Sequence, residues 1–196
     1  MIRQRTPGPG IPLKGQMRAE TERALVLIKP DGVERALVGK VIGRFEECGL
    51  RIIGLKMVRP DASSVERHYP ADEEWLASVG RKTKAAPRDA GMPTEEDEMH
   101  IGRRVRGRIV EQFSGNLVVA MVLQGNSANA VVRKLCGPTE PVTADASTLR
   151  GLYSSDTFIA ASVEDRPIRN MVHASENKEA AENEIGIWFG EGEIFS

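Results

Sequence analysis

The sequence predicts an α+β fold, an antiparallel sheet with its helices packed on one side, and three features predict it. Two continuous apolar runs, Ala24 to Ile28 and Leu117 to Leu123, have the length and content of buried strands. Ile53, Leu55 and Met57 alternate as a half-buried strand does. Apolar residues recur at helical spacing from Val38 to Phe45 and again from Ala128 to Leu135, each time following a strand.

The elements follow in chain order. Residues 1–22 read as a flexible arm, because Arg3 and Arg5 are followed by Pro7-Gly8-Pro9-Gly10 and Pro12 and no apolar stretch of a signal peptide appears, so a cytoplasmic location is expected. The first strand stops at Lys29-Pro30-Asp31-Gly32, where the residue before proline is held extended and the glycine builds a turn. Val38, Val41, Ile42 and Phe45 form one face of a helix that Gly49 caps. The second strand ends at Pro60, and a short helix over Asp61 to Tyr69 has Asp61 or Ser63 as its N-cap. Residues 71–102 are charged and aperiodic and include Pro87, Pro93 and Glu95-Glu96-Asp97-Glu98, so they read as a surface insertion with little core. Val105, Ile109 and Phe113 suggest a helix leading into the third strand, whose two faces must both meet apolar neighbours. Gly137-Pro138 ends the next helix, residues 138–167 read mostly as loop, and Ile168 to Val172 is a short apolar stretch. Ser175 serves as N-cap of a last helix with Ala181, Ile185 and Trp188 on one face. The order strand, helix, strand, strand, helix, strand, helix is the ferredoxin-like arrangement.

Composition excludes several classes. The 196 residues, 40% hydrophobic and 28% charged, suit one globular domain over 23–196 and neither a disordered chain nor a fibre. The longest apolar run falls far short of the eighteen or so residues of a membrane span. A net charge of -1 gives no global attraction for nucleic acid or an anionic surface, so an anion has to be held by a local cluster. Cys48 and Cys136 form neither a C-x-x-C pair nor a disulfide framework and are expected as buried thiols near helix ends.

The chain has no P-loop, no G-x-S-x-G elbow and no H-E-x-x-H. Of the three histidines, His68 at the end of a polar helix and His100 in the insertion read as solvated surface residues. His173 differs, since it follows Met171 and Val172 and stands two residues before Ser175, where helix amides favour an anion and Glu184 can orient the ring. On spacing alone a packed or capping histidine is the plainer reading.

Ile28-Lys29-Pro30-Asp31-Gly32-Val33, then Arg133 with Gly137 and Thr139-Glu140-Pro141, then Thr148-Leu149-Arg150-Gly151, then Asn170-Met171-Val172-His173-Ala174-Ser175, and finally Glu184-Ile185 with Trp188-Phe189 together resemble the nucleoside diphosphate kinase family. These motifs stand in the family's order from about Glu22 to Phe189. The resemblance implies transfer of the terminal phosphate of a nucleoside triphosphate to a nucleoside diphosphate through a phosphohistidine, with Mg2+ carried on the nucleotide, in a homo-oligomer, a hexamer. It implies that His173 is phosphorylated, that Glu184 orients it and that Tyr69 lies near the phosphoryl group. It also implies that Lys29 and Asn170 hold the ribose, while Arg133, Thr139 and Arg150 hold the phosphates. No metal ligand is implied beyond a water-mediated contact from Glu176. The implied partners are nucleoside di- and triphosphates, with no membrane and no stable nucleic-acid partner.

The chain departs from the family's pattern in places. Ala174 and Glu176 replace the glycine and aspartate near the histidine, Leu152 replaces an acidic residue, and the base-stacking phenylalanine falls near Val105. The insertion and the segment 153–166 are longer than in the family. The alternative function is a non-catalytic ferredoxin-like module binding nucleotide or RNA, for which Arg103-Arg104-Val105-Arg106-Gly107-Arg108 is the candidate run, although it has no interleaved aromatics on which bases could stack.

Overall fold

Alternation along the first strand decides the architecture. In the computed structural model, which describes residues 21–89, 91 and 94–195, β1 (Thr21–Ile28) sends Ala24, Val26 and Ile28 to one face and Leu25 and Leu27 to the other. β3 (Val118–Asn126) does the same with Val119, Met121 and Leu123 against Val118, Ala120 and Val122. Strands apolar on both faces belong in the middle of a sheet that is covered twice. With β2 (Arg51–Val58) and β4 (Val172–Ala174) the sheet has the order β2-β3-β1-β4 with every pair antiparallel, which is the ferredoxin-like sheet. The flexible arm expected over 1–22 lies outside the described residues up to residue 20, and Thr21 and Glu22 already pair in β1.

Helices cover both faces, which corrects the expectation of a one-sided sheet. On one face lie α2 (Val38–Glu47) and α6 (Ala128–Cys136), which insert Val41, Phe45 and Val132. α3 (Ala62–His68), α5 (Glu98–Phe113) and α9 (Lys178–Trp188) cover the other with Val65, Phe113, Ile185 and Trp188. Two-sided coverage follows from the strands themselves, because one bare face would leave Leu25, Leu27, Ala120 and Val122 in water at about 1.5–3 kcal/mol for each large side chain. The caps read from the sequence are Asp61, which accepts from the Ser64 amide at 2.7 Å, and Gly49 and Gly137 with φ of 78° and 79°. Cys136 is buried, whereas Cys48, expected buried, is exposed at the end of α2.

The surface insertion is helical. α4 (Glu73–Asp89) and α5 form an antiparallel helical hairpin that buries Leu76 and Ile101. The two helices approach through glycines: a Cβ on Gly80 would fall on the Glu98 carbonyl, and one on Gly102 would fall on that of Leu76. Gly102→Val is therefore expected to force the hairpin apart and cost about 1–3 kcal/mol. Urea unfolding checks it, and an unchanged midpoint would show that the approach is dispensable. Between α6 and β4, where loop was expected, a 3₁₀ turn at Pro141–Thr143 precedes α7 (Leu149–Tyr153) and α8 (Phe158–Val163), capped by Thr148 and Thr157. A further single turn, α1 (Pro30–Glu34), follows β1.

Candidate active site

The edge strand β4, α9, the end of α3 and the segment from α6 to α8 surround a cleft of about 730 Å³. His173 enters it from β4, where it pairs with Leu27 of β1. Its Nε2 lies 3.0 Å from Glu184 Oε2, and the Ser175 hydroxyl donates to the same oxygen at 2.5 Å. Burial alone would push the Glu184 carboxyl up, but the hydrogen bond from His173, the electrostatic influence of the two nearby imidazoles and the Ser175 hydroxyl outweigh it and hold the group below its ordinary value. An ionised Glu184 accepts only, so the proton of neutral His173 sits on Nε2 and Nδ1 keeps a free lone pair.

The support for His173 differs from the one expected. α9 begins at Lys178, and Asn177 caps it by accepting the Ala180 amide at 2.9 Å, so Ser175 is not an N-cap. It is a buried residue that braces Glu184.

A second group of site residues is tied together next to β4. Buried Lys29 donates from Nζ to the Ile168 carbonyl at 3.1 Å and to Asn170 Oδ1 at 3.0 Å, and Asn170 Nδ2 donates to the Thr139 carbonyl at 2.7 Å. Burial pulls the Lys29 ammonium below its ordinary value against the opposing charge of Asp31. Arg150 donates to three carbonyls, those of Gly137 and Val172 at 2.7 Å each and of Asn170 at 3.4 Å, and burial lowers its pKa as well. Between Asn170 and His173 the chain turns through Met171 with φ of 56°, a left-handed conformation costly for a side chain with a Cβ. Asp31 Oδ2 accepts the Met171 amide at 2.9 Å and the Lys29 amide donates to the Met171 carbonyl at 2.8 Å, so the turn Lys29-Pro30-Asp31-Gly32 holds that conformation in place. Gly32 is required there because a Cβ would lie 2.9 Å from the Met171 carbonyl. Arg133 and Thr139 line the cleft and are exposed.

His68 is the largest departure from the sequence reading. It is 5% exposed, not solvated, and its Nδ1 accepts the Trp188 indole N–H at 3.1 Å. Its ring stands edge to face 4.4 Å from the ring of His173 and 4.6 Å from that of Tyr69. Burial, helped by the charge of His173, pushes its pKa down to about 3. Tyr69 lies 5.9 Å from the His173 ring, and burial raises its hydroxyl, which stays protonated. Among the described residues His68, His173 and Glu184 are the one set of such groups close enough to share a metal ion, with ligand atoms within 4.8 Å. They do not make a metal centre as arranged: with Nδ1 taken by Trp188, neutral His68 presents an N–H at Nε2, and the His173 Nε2–H is given to Glu184.

The burial of His68 sets a pH dependence. The unfolded chain takes up this proton near 6.5 and the folded protein only near 3, so between these values the unfolded state binds more protons and stability falls as pH falls. Going from about pH 7 to about pH 5 is expected to remove roughly 2 kcal/mol through this ring. Urea unfolding at both values should show a correspondingly smaller loss in His68→Gln, and equal losses would refute the assignment.

Val105 does line the cleft, but Trp75 and Phe158, which the sequence reading passed over, add aromatic surface to it. Three of the four arginines of the basic run are already engaged: Arg104 pairs with Glu96 and Asp165, Arg106 donates to the carbonyls of Glu66 and Tyr69, and Arg108 pairs with Glu111 and Asp165. The pairs to Asp165 tie α5 to the turn after α8, and His100 is exposed as expected.

A carboxylate-braced imidazole beside buried cations is the arrangement that phosphoryl transfer to a nitrogen nucleophile needs. The family model described as Nucleoside diphosphate kinase matches residues 22–76 and 98–194, leaving out most of α4 and its connection to α5. The chain is 43% identical over 178 residues to the nucleoside diphosphate kinase of Pyrobaculum aerophilum, covering 88% of this chain and 97% of that one, and 36% identical over 176 residues to that of Pyrococcus furiosus, covering 90% and 88%. A crystal structure of an NDP kinase from Pyrobaculum aerophilum superposes with a TM-score of 0.86 at 41% identity, over 90% of this chain and all of the other. The nucleoside-diphosphate kinase of Borrelia burgdorferi, a transition-state mimic with bound vanadate and ADP, gives 0.71 at 32% identity over 90% of this chain and 91% of that one. The chain belongs to the nucleoside diphosphate kinase family, and it is an enzyme of phosphotransfer between nucleotides.

Proposed function

We propose that the protein moves the terminal phosphate of a nucleoside triphosphate to a nucleoside diphosphate in two steps through Nδ1 of His173. The observation that carries this is the 3.0 Å bond of His173 Nε2 to Glu184, which leaves Nδ1 as the nucleophile. In the first step the Nδ1 lone pair forms the N–P bond, the bond from phosphorus to the bridging oxygen breaks, and its electron pair leaves on the diphosphate. Glu184 stabilises the positive charge that the ring gains. In the second step a terminal oxygen of the acceptor diphosphate attacks the same phosphorus and returns the lone pair to Nδ1.

Lys29 and Asn170 take the ribose, Arg133, Thr139 and Arg150 the phosphates, and Tyr69 stands beside the transferring group. Trp75, Phe158 and Val105 offer apolar surface for a base, which discriminates weakly between bases because contact area alone is read. Mg2+ carried on the nucleotide phosphates would supply charge neutralisation between them. Magnesium takes oxygen ligands and keeps several waters, and Glu176, exposed on the cleft rim, suits a contact through water.

Incubation with terminally labelled ATP tests this reading, with acid-labile, base-stable label on the wild-type protein as the expected result and no label as the result that overturns it. The unit is a cytoplasmic homo-oligomer, a hexamer, supported by exposed apolar Val142 and Leu152 on the segment between α6 and α8. Sedimentation should show the hexamer at micromolar concentration, and a monomer would refute it.

A further inference from the structure

His68 lines the cleft and takes no part in the steps just described. Its Nδ1 is committed to the Trp188 indole, so its proton is on Nε2, and that buried N–H has no hydrogen-bond partner among the described residues. A buried donor left unpaired is costly, and the fold keeps it beside the most reactive ring in the molecule.

The reason lies in how weakly His173 is otherwise held. β4 is three residues long, pairs on one side only with β1, and fixes the backbone of His173 without fixing its ring. The torsion that turns an imidazole is soft, and the bond to Glu184 pins one atom, Nε2. Rotation of the ring about that pin would swing Nδ1 away from the cleft. Two rings stand against such rotation, His68 at 4.4 Å and 78° and Tyr69 at 5.9 Å and 80°. His68 is the nearer, and it cannot swing aside without leaving the Trp188 indole N–H buried and unpaired.

We propose that His68 is a positioning residue: locked by Trp188, it fixes the plane of the His173 ring so that Nδ1 faces the nucleotide while Nε2 stays on Glu184. The proposal rests on the reading of His173 as the nucleophile. It also gives the neutrality of His68 a purpose, since a cation at that point would compete with His173 for the carboxylate of Glu184. The groups that face it are His173 from β4, Glu184 and Trp188 from α9 and its neighbour Tyr69.

The test compares the wild type with the double variant His68→Leu/Trp188→Phe, which removes the ring and the indole donor together and leaves neither partner unpaired. Formation of phospho-His173 is followed in a single turnover over a range of ATP concentrations, and the imidazole nitrogen resonances report the tautomer of His173. The expected result is a maximal rate at least tenfold lower, half-saturation by ATP within twofold of wild type, and a mixture of His173 tautomers. A folded double variant that reacts at the wild-type maximal rate, or one that changes only the half-saturating ATP concentration, overturns the proposal. Should the double variant fail to fold, Trp188→Phe alone is read in the same way, because it keeps His68 but removes the bond that orients it. Wild-type protein that never takes label at His173 would instead remove the nucleophile reading, so the two failures are told apart.

Discussion

His173→Ala is expected to abolish transfer between nucleotides, a loss of at least about 10⁴-fold, while the protein stays folded. The two effects separate because the half-buried ring contributes modestly to packing and Glu184 keeps the Ser175 hydroxyl as a partner after its removal. No neighbouring group substitutes as nucleophile: His68 shows the cleft an N–H, and the Tyr69 hydroxyl is held protonated by burial. Coupled-enzyme assay and label retention check the outcome together. Label on the alanine variant, stable to base and labile to acid, would place the reaction on another nitrogen and sink the mechanism.

The parts of this fold that were legible in the sequence are those whose signal is local. β1 and β3 announce themselves as apolar runs because both of their faces are covered, and α2 and α6 show helical spacing because each buries one stripe. The α4–α5 hairpin gave no such signal: its described buried apolar residues between 73 and 102 are Leu76 and Ile101, its close contact is made by two glycines, and charge fills the rest. α7 and α8, at five and six residues, are too short to show a period. In the site, the order of motifs singled out His173, Glu184, Lys29 and Arg150 and paired Glu184 with His173, but not the backbone carbonyls that Lys29 and Arg150 hold. The burial of His68 depends on Trp188, 120 residues away, and the clue was the buried face of α9, where an indole N–H needs an acceptor.

Arg150→Ala carries the second large effect, and it should differ in kind from Arg133→Ala, although both remove a cation assigned to phosphate. Arg133 is exposed in the last turn of α6, so its loss is expected to lower transfer about ten- to a hundredfold, the worth of one charge-assisted contact of about 1.5–3 kcal/mol, with little change in stability. Arg150 spends three of its donors on the carbonyls of Gly137, Asn170 and Val172, and so ties the end of α6 to the start of β4. Its removal strips buried acceptors as well as the phosphate contact, at about 3–5 kcal/mol of stability and roughly 10 °C in Tm. The strand that loosens is the one that carries His173, so kcat should fall together with affinity in Arg150→Ala, beyond the loss in Arg133→Ala. Arg150→Lys separates the two jobs, because an ammonium restores the positive charge but cannot span three carbonyls: stability should remain low while part of the activity returns. Thermal unfolding and steady-state kinetics on the three variants decide it, and an Arg150→Ala protein as stable as the wild type would show that the backbone tie contributes nothing.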